Sequence, residues 1–172
     1  MKKRQMGFLL SGMVMSLCLG GCGQKETGSE LLTDTREAVE PVTEKVEPAV
    51  ETTEEGTRLP VYCGDEQAEH IVRRSVPVEE VTEETVLAEL TKALEMDEGI
   101  KIRSLSFGMH GGDQVAMLDL NQAFADYLNR LGAAGESIVM GSLTNTFLEC
   151  YQCDLMMITV EGKVLKTSHA IY

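Results

Sequence analysis

Gln114-Val-Ala-Met-Leu-Asp119-Leu-Asn121-Gln-Ala-Phe124 leads, past the break Gly132-Ala-Ala-Gly135, into Glu136 and the run that ends at Phe147. Its first part alternates, with Ala116, Leu118 and Leu120 on one side, as in a half-buried strand. Asp119 and Asn121 at the strand's end are residues that can cap a following helix. Ala123, Phe124, Tyr127 and Leu128 then recur at helical spacing, and the glycines end that short helix. A longer helix is expected from Glu136 to about Glu149, with Val139, Met140, Leu143 and Phe147 on one face.

The flanking segments can be arranged around this strand and its two helices. Downstream, Leu155–Val160 and Lys163–Lys166 bracket Glu161-Gly162, favoured chemistry for a two-residue hairpin turn. Upstream, Lys101–Met109 and Gln114–Leu120 bracket His110-Gly111-Gly112-Asp113, a second hairpin. Thr82 is placed as an N-cap, with Glu83 and Glu84 in the first turn. Val86, Leu87, Leu90 and Leu94 form the apolar face of the helix that follows, to about Met96. Leu59–Cys63 and Ile71–Val78 read as strands, and Pro77 places the end of the second at a sheet edge. The predicted order is β-β-α-β-β-α-β-β over residues 59–172: an α+β domain, two principal helices on one face of a mainly antiparallel sheet.

The first 58 residues have a different character. Lys2, Lys3 and Arg4 precede an uncharged, largely apolar run from Gln5 to Leu19, the plan of an export signal over residues 1–21. Leu19-Gly20-Gly21-Cys22 resembles the bacterial lipobox, which makes Cys22 the expected site of lipidation (diacylglycerol on its thiol, with palmitate among the acyl chains) and the membrane the expected first partner. Residues 22–58 are then the lipidated cysteine and an acidic tether. With few large apolar residues, no aromatics and repeated Glu, Thr, Val and Pro, the tether is expected to be disordered. A flexible spacer of that length reaches ~30–35 Å from the lipid on average. The expected location is the extracytoplasmic face of the cell membrane.

Charge and composition exclude some functions. The net charge is −13, and residues 59–172 alone hold eighteen acids against eight bases, so binding to a nucleic-acid backbone is disfavoured. There is no Trp, and only four Tyr and four Phe, too few for a stacking platform.

No catalytic set is expected, and no cofactor or metal. Cys150-Tyr151-Gln152-Cys153 is a CxxC, but it follows the C-terminal end of a helix, where the dipole does not lower a thiol pKa. Cys63, Cys150 and Cys153 could contribute one disulfide and one free thiol, or stay reduced, and spacing does not choose a pairing. His70, His110 and His169 share no register with one another. Asp119 invites an acid/base role, and helix capping explains its position more simply.

Several stretches together resemble the GerMN domain, the module of the GerM family of sporulation and spore-germination lipoproteins. These are Leu59-Pro60-Val61-Tyr62, Arg73-Arg74-Ser75-Val76-Pro77, Val115–Leu120 with Phe124, Gly135-Glu136 with Leu143–Phe147, and Ile158–Lys163. The similarity spans roughly Leu59 to Ala170. It implies a non-catalytic interaction or assembly role, with a protein partner in an envelope complex. Two family features differ. Ala93–Asp97 stands where Leu-Leu-x-Gly-Pro is usual, and Tyr151-Gln152-Cys153 stands where Phe-Pro-Gly is usual. Edge docking of a partner would use main-chain groups of Leu59–Cys63 or Ile71–Val76. The alternative from the residues is a lipoprotein that binds a small ligand or the cell wall.

Overall fold

The computed structural model describes residues 39–41, 46–53 and 56–172. The signal segment and Cys22 lie outside them.

The described elements are β1 (Glu40–Pro41), β2 (Glu51–Thr53), β3 (Gly56–Gly64), β4 (Ile71–Val78), α1 (Glu83–Leu94), β5 (Ile102–His110), β6 (Asp113–Leu120), α2 (Gln122–Leu128), α3 (Ala133–Tyr151), β7 (Leu155–Val160) and β8 (Lys163–Val164). The fold is α+β, as expected, and most strand pairs are antiparallel. One sheet was expected and two are found. The strands form two sheets, β1-β5-β6-β7-β8 and β2-β3-β4, and β6 pairs with β7 in parallel. The parallel pair follows from what lies between those strands: α2 and α3 supply the long crossover that parallel neighbours require.

On the side of β3 that faces away from β4, β2 pairs with Gly56–Arg58 and α3 covers Pro60 and Tyr62. Tyr62 donates its N–H to Thr146 Oγ1 at 2.9 Å. The Cys150 thiol approaches the Pro60 carbonyl at 3.9 Å. Tyr62, Pro60 and Arg58 therefore turn their main-chain groups away from β4, while Leu59, Val61 and Cys63 turn theirs toward it. Pro60 falls where its missing N–H removes no bond to β4.

One core joins the sheets and helices. Leu59 and Val61 of β3, Val86 and Leu90 of α1, Leu118 and Leu120 of β6, Phe124 and Leu128 of α2, and Leu143 and Phe147 of α3 are each at most 1% exposed. Each such side chain stabilises the fold by about 1.5–3 kcal/mol relative to leaving it in water. Thr82 caps α1 as predicted, with Oγ1 accepting from Thr85 N–H at 3.1 Å. Both predicted hairpin turns form, with positive φ at Gly111 and Gly112 and at Glu161 and Gly162.

Part of the segment read as a disordered spacer is built into the sheets. Glu40–Pro41 pairs with Gly108 and Met109 of β5, and Glu51–Thr53 pairs with Gly56–Arg58 of β3. Ladder bonds to existing strand edges, together with Val46 and Val50 packing against the core, offset an ordering entropy that composition alone says this stretch cannot meet.

Candidate functional site

Glu149, in the last turn of α3, gathers side chains from both long strands of the smaller sheet. Arg73 of β4 donates from Nε and Nη2 to Oε1 at 2.9 and 2.6 Å, and Tyr62 of β3 donates its hydroxyl to Oε2 at 2.7 Å. Tyr62 and Arg73 are directly opposite in the β3–β4 register, so both reach the same carboxylate. The Arg73 guanidinium is the main reason that the Glu149 carboxyl is held below its ordinary range, with the Tyr62 hydroxyl adding to it against the effect of burial. The Tyr62 phenol is raised, chiefly by that hydrogen bond to Glu149.

Beside this cluster lies a groove of about 350 Å³ lined by Arg58, Pro60, Arg73, Ser75, Glu149 and Gln152, with Ala49 and Val50 at one side. Arg58 donates from Nε to Ser75 Oγ at 3.0 Å and from Nη2 to the Ser75 carbonyl at 3.1 Å. By the alternation set at Tyr62, Val72, Arg74 and Val76 face β3, whereas Ile71, Arg73, Ser75 and Pro77 turn outward. Among the described residues, no strand lies on that far side of β4. Of the two stretches considered for edge docking, Leu59–Cys63 has its main chain engaged by β4 and α3. The outward side of Ile71–Val76 remains.

A second groove, of about 510 Å³, runs between α1 and the start of β5. Leu87, Ala88, Ile100 and Ile102 form its apolar lining, with Glu84, Lys92, Glu98 and Lys101 around them.

The residues singled out from sequence do not converge. Asp119 caps no helix. Its Oδ1 accepts from Thr159 Oγ1 and from Gly162 N–H, both at 2.8 Å, and Oδ2 accepts from Arg103 Nη1 at 2.9 Å. Burial alone would raise this carboxyl, but those three donors outweigh it and the carboxyl titrates below its ordinary value. Asp119 thus fastens the β7–β8 turn to β5 and β6. Asn121 holds the N-cap position of α2 without a side-chain cap; it bonds Lys101 N–H and the Gly99 carbonyl instead. The vacated capping role falls to Glu161, whose Oε1 accepts from Gln122 N–H at 3.2 Å.

Cys63, Cys150 and Cys153 are buried free thiols. Burial pushes Cys150 up to about 12 and Cys153 up to about 11, opposite to what a nucleophile or metal ligand needs. His70 contacts Asp65, and His169 contacts the Leu131 carbonyl, on separate surfaces. Among the described residues, no three His, Cys, Asp or Glu side chains gather as a metal site, and no helix is long and apolar enough to cross a membrane.

Sequence reasoning overlooked Glu136, which is 1% exposed on the inner face of α3. Its Oε1 accepts from Thr167 Oγ1 at 2.7 Å and from the Tyr172 hydroxyl at 2.6 Å, tying the last residues to the start of α3. The signal was present: Glu136 falls in step with Val139, Met140, Leu143 and Phe147. Arg58, Arg73 and Tyr62 were legible only once the β3–β4 register was known.

Residues 60–166 match the model of the Germane family, described as sporulation and spore germination, and the chain belongs to that family. The first GerMN domain of the sporulation protein GerM from Bacillus subtilis aligns with 16% identity over 62% of this chain and 84% of that one, at a TM-score of 0.45. The tandem GerMN domains of the same protein align with 18% identity over 72% of this chain and 46% of that one, again at 0.45, so the chain spans about half of the tandem. A candidate lipoprotein from Clostridium perfringens aligns with 17% identity over 65% of this chain and 79% of that one, at 0.39. None of the curated proteins compared with the chain matches it.

Proposed function

We propose that the chain is a membrane-anchored, extracytoplasmic lipoprotein. Its GerMN domain acts without catalysis, as an interaction and assembly module in a sporulation or cell-envelope complex. Lipid on Cys22 holds it at the membrane, the acidic segment sets its reach, and the outward side of β4 docks a protein partner. The observation that carries this reading is the eight-residue edge strand Ile71–Val78, whose far side has no neighbouring strand among the described residues. Main-chain groups on such an edge supply affinity, and side chains alternating on its two faces supply selectivity. The family's link to sporulation and germination supports the biological setting.

Replacing Ser75 by Pro removes an outward N–H, so a pull-down through S75P from detergent-solubilised membranes is expected to lose the partner that the native chain retains. An unchanged set of retained proteins would sink edge docking. Incorporation of labelled fatty acid tests the anchor: label is expected in the native chain and absent from C22A.

A second reading, a small-ligand-binding lipoprotein, is favoured by the apolar groove between α1 and β5, whose volume suits a small molecule.

A further inference from the structure

On the reading that β4 docks a protein, we infer that its edge is keyed for an extended segment carrying carboxylate side chains, and that Arg58 is the key's receptor. In a chain of net charge −13, the strands Gly56–Gly64 and Ile71–Val78 hold Arg58, Arg73 and Arg74 and not one acid. Arg58 and Arg74 have no carboxylate partner among the described residues. Among the described residues Arg58 bonds Ser75, through its hydroxyl and its carbonyl.

That carbonyl is one of the outward groups a neighbouring strand would engage, and Arg58 already engages it. An uncharged strand arriving at the middle of β4 therefore exchanges a charge-assisted hydrogen bond at the Ser75 carbonyl for a neutral ladder bond and leaves the guanidinium without a protein acceptor. A strand bearing Glu or Asp at that point replaces the bond with a bidentate guanidinium–carboxylate pair, the stronger of the two. The guanidinium then releases Ser75 for ladder pairing. Pro77, also outward, supplies no N–H and limits pairing toward that end. Arg58 thus blunts the edge against indiscriminate pairing while marking it for an acidic partner.

Arg74 extends the match. Its side chain lies on the face of β4 opposite to Arg73 and Ser75, so a docked strand can meet a cation on each of its two faces. The groove favours a peptide over a phosphate polymer. Gln152 offers the paired donor and acceptor that a polypeptide backbone uses and a phosphate polymer does not.

The test uses the full chain in detergent and a fluorescent eight-residue extended peptide with two Glu, its Gln counterpart, and inorganic polyphosphate. The Glu peptide should bind about tenfold or more tightly than the Gln peptide. Arg58→Gln should bring the two within about threefold while leaving the melting temperature unchanged, and Arg74→Gln should weaken the Glu peptide alone. Equal binding of the two peptides by the native chain overturns the inference, as does a preference that survives R58Q. So does Arg58-dependent binding of polyphosphate without binding of the Glu peptide. If S75P abolishes partner retention while R58Q and the Glu-to-Gln change do nothing, edge docking stands and the acidic key alone fails. If neither substitution matters, both fail.

Discussion

Arg73 and Glu149 face each other across the seam between β4 and the C-terminal turn of α3, with Arg73 Nη2 2.6 Å from Glu149 Oε1. The pair joins the open edge strand to the helix whose other end carries the buried Glu136. It therefore holds β4 against the end of α3.

Glu149 and Asp119 both titrate below their ordinary values, so folding stabilises their charged forms. Their contribution is fully present above the unfolded carboxylate pKa of about 4, and it is lost as pH falls through the lower folded values. Urea midpoints measured from pH 6 to pH 3 should fall less steeply for E149Q and D119N than for the native chain. Parallel curves would refute the assignment.

Glu136 should be the most sensitive polar position in the domain. Glu136→Ala removes the carboxylate that accepts from Thr167 and Tyr172 and leaves a void in the core, which is expected to cost about 2–4 kcal/mol. Tyr172→Phe removes one hydrogen bond and should cost about 1–2 kcal/mol. Equilibrium urea unfolding measures both, and a native midpoint for E136A would contradict the buried acceptor role.

Two helices end on left-handed residues that are not glycine: Glu95 with φ 52° after α1, and Gln152 with φ 51° after α3. Glycine adopts this conformation without the steric penalty. Glu95→Gly and Gln152→Gly should each raise stability by about 0.5–1 kcal/mol in thermal melts.

The thiols of Cys150 and Cys153, pushed up to about 12 and 11 by burial, should resist alkylation at pH 8. Iodoacetamide labelling read by peptide mass spectrometry should modify them only in denaturant. Rapid labelling of the native chain would reopen a reactive role for the CxxC.

Most of the helices and strands were legible because their signals are local. Thr82, the period-two strands and the Gly111-Gly112 and Glu161-Gly162 turns each act within a few residues. Pairing was less legible, since the parallel partnership of β6 and β7 depends on where two helices carry the chain. Asp119 illustrates the limit: a strand-end aspartate is chemically suited to capping, but Thr159, Gly162 and Arg103 reach it first, from elements that sequence spacing does not bring together. The candidate site was half legible. Pro77 marks the end of Ile71–Val78 as lying at an edge, whereas the open length of that edge and the Arg58 contact with Ser75 required the register. The spacer was misjudged for a related reason, because composition does not reveal that a neighbouring edge offers ladder bonds to Glu40–Pro41 and Glu51–Thr53.

The most direct test of edge docking places a photo-crosslinking residue at position 75, and separately at exposed position 163 of β8, in the full chain in intact cells. Position 75 should capture a discrete protein whose crosslinked peptide is extended and contains Asp or Glu, and position 163 should not capture it. Identical capture from both positions, or none from position 75, would contradict the account.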